Sequence, residues 1–167
     1  MLRRATIHDA EEIHSIMSLV YDNLENKDLY VCDDLDYVRN TLSTNGFGVV
    51  ACDNSGKIIA SFIFRYPGSS EDNLGNDVDL CARELPKVVH METAVVLPEH
   101  RGKGLQRKML SYAESLIDTS VYKYFMATVS PDNPASYRSF ENSGYKLIKT
   151  KPKYGGIMRR IYLKEIR

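Results

Sequence analysis

Val95-Val96-Leu97-Pro98-Glu99-His100-Arg101-Gly102-Lys103-Gly104-Leu105-Gln106 is the stretch on which the reading turns. An apolar run meets a proline, then a basic glycine-rich turn, then a segment with helical spacing. Pro98 stops a strand because it lacks the N–H that a ladder needs. Gly102 and Gly104 have no Cβ, so the backbone there is free to take positive φ and to approach a ligand closely. The first turn of the following helix leaves N–H groups without intrahelical acceptors, and these attract an anion. Arg101 and Lys103 add positive charge. The physics is that of a phosphate cradle. It is neither the G-x-x-x-x-G-K-[ST] loop nor the dinucleotide G-x-G-x-x-G, because Leu105, Gln106 and Arg107 follow Gly104. A solvated basic turn opening an ordinary helix is the other reading of the same residues.

Around this turn the chain alternates between two periods. Residues 88–97 read as a strand that Pro98 ends. Leu105, Met109, Tyr112 and Leu116 fall at i, i+4, i+7 and i+11, which predicts a helix with one buried stripe. Further on, 124–129 reads as a strand, 133–142 as a short helix ended by Gly144, and 145–149 and 157–163 as two strands joined through Gly155-Gly156. Upstream, 2–6 is a short strand. Asp9-Ala10-Glu11-Glu12 reads as a capping box, with Asp9 as N-cap, ahead of a helix carrying Ile13, Ile16, Met17 and Val20. Asp33 or Asp34 caps a second helix through Leu35, Val38 and Leu42, stopped at Asn45-Gly46. Residues 47–52 and 57–66 flank Asp53-Asn54-Ser55-Gly56 as a hairpin. Residues 67–87 form a polar loop longer than a hairpin needs, and such loops are often functional. The order βααβββαβαββ predicts a mixed α/β fold, one sheet with helices on both faces.

Composition bounds what this fold is for. The chain has 167 residues, the size of one domain. Lys+Arg and Asp+Glu are both 22, so the net charge is zero and no basic excess points to nucleic acid. The longest apolar stretch, about 58–64, is far short of the ~20 residues a bilayer needs. Arg3 and Arg4 are followed by no apolar run, which argues against a secretory signal. Cys32, Cys52 and Cys81 are odd in number and contain no C-x-x-C pair. This argues against structural zinc or any other metal site and favours a reducing cytoplasm, with plain thiols rather than a catalytic cysteine.

The turn then becomes specific. Arg101-x-x-Gly104-x-Gln106 resembles the acetyl-CoA signature of the GNAT superfamily of N-acetyltransferases, written Q/R-x-x-G-x-G/A, and departs from it at Gln106. Asn133-x-x-Ser136-x-x-x-Phe140-x-x-x-Gly144-Tyr145 resembles the N-x-x-A-x-x-x-Y-x-x-x-G-F helix of the same superfamily. The spacing of the two elements and the element order also fit, so the resemblance covers essentially the whole chain. It implies a twisted V-shaped sheet splayed between 88–97 and 124–129. It implies acetyl-CoA as co-substrate, with the pantetheine arm on backbone near Val95, Val96 and Leu97. The pyrophosphate would sit on Arg101, Gly102, Lys103, Gly104, Leu105 and Gln106, with Asn133 and Phe140 beside the CoA arm. Asn133 is equally read as a helix cap.

The family reaction is direct attack of an amine on the thioester. It calls for a neutral amine, a stabilised oxyanion and a proton for the departing thiolate. Residues 90, 92, 94 and 96 share one strand face, which makes Glu92 and His90 the candidate bases. The resemblance favours a carboxylate on this strand, hence Glu92. The family's tyrosine beside the sulfur falls on Phe140, which has no proton to give. Tyr137, one turn earlier, is the substitute acid candidate, against a plain structural tyrosine.

The resemblance builds the acceptor pocket from about 21–36 and 67–87. The first holds Tyr21, Tyr30, Cys32, Asp33 and Asp34. The second holds Glu71, Asp72, Asp77, Asp79 and Glu84, against Arg83 and Lys87. These predict an acidic mouth for a cationic amine of a small molecule or peptide. A solvated acidic loop is the alternative. Two further readings stand beside the N-acetyltransferase: a non-catalytic acyl-CoA-binding or interaction module on the same fold, and an unrelated phosphate-ligand binder using the same turn. The last strands, rich in Tyr154, Ile157, Ile161 and Tyr162, either pair across a homodimer or simply close the sheet.

Overall fold

The principal elements are β1 (Leu2–Arg4), α1 (Ala10–Asp22), α2 (Leu35–Asn40), β2 (Gly46–Cys52), β3 (Ile58–Arg65), β4 (Val88–Val96), α3 (Leu105–Leu116), β5 (Tyr124–Val129), α4 (Pro134–Glu141), β6 (Lys146–Lys153) and β7 (Ile157–Glu165). This computed structural model describes all residues from Met1 to Arg167. The βααβββαβαββ order is as the periodicities predict. The seven strands line up as β1-β2-β3-β4-β5-β7-β6. Two compact units divide the chain: Met1–Phe64 with Thr93–Leu116, and Arg65–Glu92 with Ile117–Arg167.

In the first unit, α1 turns Ala10, Ile13, Ile16, Met17 and Val20 inward at helical spacing. They pack with Val38, Val50, Cys52, Ile58, Ile63, Val95 and Leu97. Each fully buried Val, Ile, Leu or Met among them contributes roughly 1.5–3 kcal/mol. β1 pairs antiparallel with β2, Leu2 opposite Ala51. In the turn before β3, Asp53 Oδ1 accepts from the N–H groups of Ser55 and Lys57, and Gly56 supplies a left-handed φ of 88°. The buried stripe of α3 is Met109, Leu110 and Ala113 rather than the predicted Leu105–Met109–Tyr112–Leu116 row. Leu116 is exposed and Tyr112 only half-buried, so the helix is rolled by about one position.

The capping box sits three residues earlier than predicted. Asp9 holds the N-cap position of α1, as predicted, but its side chain makes no cap bond there; Thr6 is the N-cap of a short 3-10 turn whose third residue is Asp9. Asp9 Oδ2 accepts from the Thr6 N–H (2.7 Å) and hydroxyl, and both its oxygens meet Arg3 at 2.8 Å. Glu12 does not reach back to a cap; its Oε1 accepts from the Ile58 N–H at 2.9 Å and ties α1 to β3. The Arg3 guanidinium and the Thr6 donors push the Asp9 carboxyl down to about 2. A depressed carboxyl contributes stability that is full above its unfolded pKa near 4 and is lost as pH falls through about 2. Asp9→Asn is therefore expected to cost about 1–2 kcal/mol at neutral pH, after discounting for the partly exposed Arg3. Urea unfolding should show the difference from wild type shrinking between pH 4 and pH 2. A difference independent of pH would contradict the pairing.

In the second unit, β4 runs parallel to β5, Val88, Val89 and His90 opposite Tyr124, Phe125 and Met126. β5 pairs antiparallel with β7, and β7 with β6. Leu74, Val88, Met126 and Ile161 form the core beneath. The segment 67–87 is more ordered than a plain loop, with 3-10 turns at Leu74–Val78 and Leu85–Lys87. β7 lies between two strands, so Ile161 and Tyr162 are buried there, and β6 is the outer strand. β6 carries Lys146, Lys149, Lys151, Lys153, Pro152 and an irregularity between Leu147 and Lys149. Lysines, proline and a bulge are devices that block addition of a further strand, which argues against a dimer built by β6 pairing.

Candidate active site

The first unit carries the glycine turn. Pro98–His100 makes a 3-10 turn off the end of β4, and α3 begins at Leu105, with the Lys108 N–H bonded to the Gly104 carbonyl at 3.0 Å. Gly102 and Gly104 have φ of 77° and 68°, the left-handed region that a side chain disfavours. A Cβ added at either would meet no atom within 4 Å, so no packing demands glycine there. The space outside both residues is open. Residues 101–104 are exposed, and Gln106 is half-buried at the first turn of α3. Two left-handed glycines, a helix start and the side chains of Arg101 and Lys103 fit an anionic diphosphate.

Arg101 Nε also donates to the Val96 carbonyl at 3.2 Å, which ties the turn to its strand. Among Val95, Val96 and Leu97, the backbone groups are not equivalent. The Leu97 N–H is taken by the Ile59 carbonyl at 3.0 Å. Strand alternation turns Val95 the same way as Leu97, and Val96 away from β3. The Val95 and Leu97 side chains are core. Of the three, only Val96 turns its peptide groups to the other edge, and its carbonyl already accepts from Arg101, which narrows the expected pantetheine contact.

The second unit carries a charged cluster gathered by Arg65, a residue that the sequence did not announce. Arg65, at the end of β3, is buried, with 8% of its surface exposed. Its Nε donates to Glu92 Oε1 at 2.5 Å and its Nη2 to Asp72 Oδ2 at 2.6 Å. Ser70 Oγ holds the other Asp72 oxygen at 2.6 Å. His90 is buried beside them: the Leu74 N–H donates to its Nε2 at 3.0 Å, and its Nδ1 lies 3.5 Å from Glu92 Oε1. Burial holds the His90 imidazole below its ordinary range, although the Glu92 carboxylate opposes this. Its Nε2 lone pair is spent on a backbone donor, so His90 does not fit the role of base. Glu92 is half-buried, its charge met by a guanidinium.

Tyr154 is the second unannounced residue. It opens the Tyr154-Gly155-Gly156 turn between β6 and β7 at φ 51°, an uncommon conformation for a bulky residue. Its ring is half exposed, while its hydroxyl shares a 3.0 Å hydrogen bond with Thr128 Oγ1 on β5. The β4–β5 pairing runs as far as His90 and Met126, two residues short of Glu92 and Thr128. Burial pushes the Tyr154 phenol up; the Glu92 and Asp72 carboxylates add to this, and Thr128 and the Arg159 guanidinium oppose it. The phenol therefore stays protonated at neutral pH.

The helix element behaves differently from its motif. Asn133 Oδ1 caps α4, accepting from the Ser136 N–H at 3.1 Å, so its carbonyl is engaged in the capping role. Phe140 is buried edge-on to Tyr145 at 5.1 Å and stacked near Tyr162 at 6.3 Å, a core position. Tyr137 lies under the Arg160 guanidinium at 4.2 Å, which gives its ring a structural partner and weakens its case as acid.

The acidic mouth is largely neutralised by the residues around it. Asp72 meets Arg65, Asp77 lies between Lys151 and Lys153, and Glu84 meets Lys87 and the Tyr124 hydroxyl. In the first unit Asp33 accepts from Thr93 Oγ1 at 2.9 Å and Asp34 caps α2 through the Tyr37 N–H. Glu71 and Asp79 are exposed. Burial pushes the Cys32 thiol up, the opposite of what a nucleophile needs, while Cys52 is buried and Cys81 exposed.

Comparison with known proteins identifies the family. The model of the Acetyltransferase (GNAT) family matches residues 10–145, and the chain belongs to that family. No curated protein matches the sequence. Among solved structures, the chain resembles an N-acetyltransferase from Staphylococcus aureus Mu50, at 16% identity and a TM-score of 0.74, covering 100% of this chain and 98% of that one. It resembles Salmonella typhimurium yncA, solved with its cofactor acetyl-CoA, at 19% identity and 0.73, covering 100% and 94%. It also resembles Arabidopsis thaliana NAA60 in complex with acetyl-CoA, at 11% identity and 0.75, covering 99% and 98%. At these identities the likeness is one of fold.

Proposed function

We propose that the protein transfers the acetyl group of acetyl-CoA to a primary amine of a small molecule or peptide, by direct attack in a ternary complex. The observation that carries this reading is the pair of left-handed glycines facing open space at the start of α3. Arg101, Gly102, Lys103, Gly104, Leu105 and Gln106 would hold the pyrophosphate, with the Val96 backbone on the pantetheine arm. Neighbours of the same fold bound to acetyl-CoA support the assignment. The co-substrate supplies an activated acyl carbon and a thiolate leaving group.

Glu92 is the proposed base. An attacking amine must be neutral, and for a lysine-like amine that costs about 4.6 kcal/mol at pH 7, against about 1 kcal/mol for an α-amino group. A carboxylate held by Arg65 would receive that proton as the C–N bond forms and the C–S bond breaks. Tyr154, protonated and close enough to feel the Glu92 carboxylate, is a better placed proton donor than Tyr137. Phe140 leaves the helix without an acid. The experiment is release of free CoA thiol from acetyl-CoA with a panel of amines: amino acids, short peptides, polyamines and aminoglycosides. At least one should raise release above the rate without amine. If acetyl-CoA binds and no amine does so, the protein is instead a non-catalytic acyl-CoA-binding module.

A further inference from the structure

We infer that His90 is a positioning residue, a neutral imidazole with its proton on Nδ1, through which the segment 68–78 sets the placement of Glu92. The kinetic part of this inference rests on the reading of Glu92 as base; the tautomer does not. A neutral imidazole has one donor nitrogen and one acceptor. The buried Leu74 N–H, 3.0 Å from Nε2, can only meet a lone pair there. Nδ1 therefore carries the proton and faces Glu92 Oε1 at 3.5 Å, a long contact. Arg65 Nη2 also lies 3.2 Å from Nδ1; one of its two N–H groups goes to Asp72 Oδ2, and with Nδ1 protonated its contact with the ring is one donor beside another, not a hydrogen bond.

A second proton on the ring would set Nε2–H against the Leu74 N–H and a cation against Arg65. The charged groups that face His90 are Glu92 on its own strand, Arg65 at the end of β3 and Asp72 in the segment 68–78. Burial adds to the bias against the cation.

The donor on the other side of the ring is itself fixed. Asn73, 1% exposed, donates from Nδ2 to the carbonyls of Gly68 (2.7 Å) and Leu85 (2.9 Å) and accepts from the Gly75 N–H at 2.8 Å. The Leu74 side chain is packed with Val88, Met126 and Ile161. The same segment presents Asp72 to Arg65, which holds Glu92 Oε1. Two contacts, one through His90 and one through Arg65, thus converge on one carboxylate oxygen. This gives the long segment between β3 and β4 a definite task.

The test uses the full chain with 15N-labelled histidine, His90 being identified by the resonance lost in His90→Gln. The expected result is one set of His90 ring signals, protonated on Nδ1 and not titrating from pH 5.5 to 8. An Nε2–H tautomer, or titration in that range, would overturn the inference. The kinetic arm uses acetyl-CoA and the amine giving the fastest CoA release. His90→Gln, which keeps an acceptor for Leu74, and His90→Asn, which keeps a donor toward Glu92, should each lower kcat about tenfold with the KM for acetyl-CoA unchanged. Unchanged kcat in both variants, with Glu92→Gln strongly impaired, would overturn the positioning role. If Glu92→Gln is itself unimpaired, the base assignment fails and the tautomer stands on the spectrum alone.

Discussion

Gly104→Val should remove most of the stabilisation of the protein by acetyl-CoA while leaving the free protein folded. Gly104 sits at φ 68° with nothing within 4 Å of an added Cβ. In the free protein the substitution therefore costs only backbone strain, about 1–2 kcal/mol, or a few degrees in Tm for a chain of this size. With ligand, the new side chain occupies the space from which the backbone N–H groups address the diphosphate. A loss of 2 kcal/mol in binding is about 30-fold in Kd. Wild type at 100 Kd of acetyl-CoA gains about 2.7 kcal/mol of stability, and the variant should lose most of it. Gly56→Val is the matched control. Gly56 has φ 88° and equally open surroundings, but it lies in the turn between β2 and β3. It should show the same strain and keep the full response to acetyl-CoA. A Gly104 variant that responds like the Gly56 control would remove the turn from the binding site.

Glu92→Gln carries the second large effect. Glutamine keeps the shape and an oxygen to accept from Arg65 Nε, but it cannot take a proton. General-base catalysis contributes about 10²–10⁴ in rate, so kcat should fall by about 10²–10³ with a lysine-like amine, whose deprotonation is costly. The Kd for acetyl-CoA should stay within a factor of about two, which separates a chemical defect from a folding one. With an α-amino acceptor the fall should be smaller, because less proton affinity must be overcome. A loss under about tenfold with both amines would mean that water or another group takes the proton.

The sequence made the fold legible wherever one period ran long enough. α1 and the strands 88–97 and 124–129 were visible for that reason, and Gly102, Gly104 and Pro98 punctuated the turn. The capping box was misplaced because Thr6-x-x-Asp9 and Asp9-x-x-Glu12 are equally good local patterns, and only Arg3 selects the first. The α3 stripe was misjudged because Leu110 and Ala113 are as apolar as the residues chosen, and packing decides between adjacent faces. The glycine turn was readable because backbone conformation demands residue type there. His90, Glu92 and Asp72 are legible singly, but not their joining by Arg65, which only the pairing of β3, β4 and the segment between them brings about. One signal was present. Arg65 ends an apolar run that reads as a buried strand, and a buried guanidinium requires a carboxylate. Tyr154 also left a trace, as a bulky residue opening a Tyr-Gly-Gly turn, but nothing local connects it to Thr128. The acidic loop misled for the converse reason: counting carboxylates does not reveal the lysines of β6 that neutralise Asp77.

The most direct test of the central claim is a calorimetric titration of the purified full chain with acetyl-CoA, with ATP as the comparison ligand. Both carry an adenine nucleotide and phosphate charge, and only one carries the pantetheine arm and the thioester. The expected result is saturable binding of acetyl-CoA at one site per chain and none of comparable strength for ATP. Binding of ATP as tight as that of acetyl-CoA, or no heat with acetyl-CoA at millimolar concentration, would contradict it.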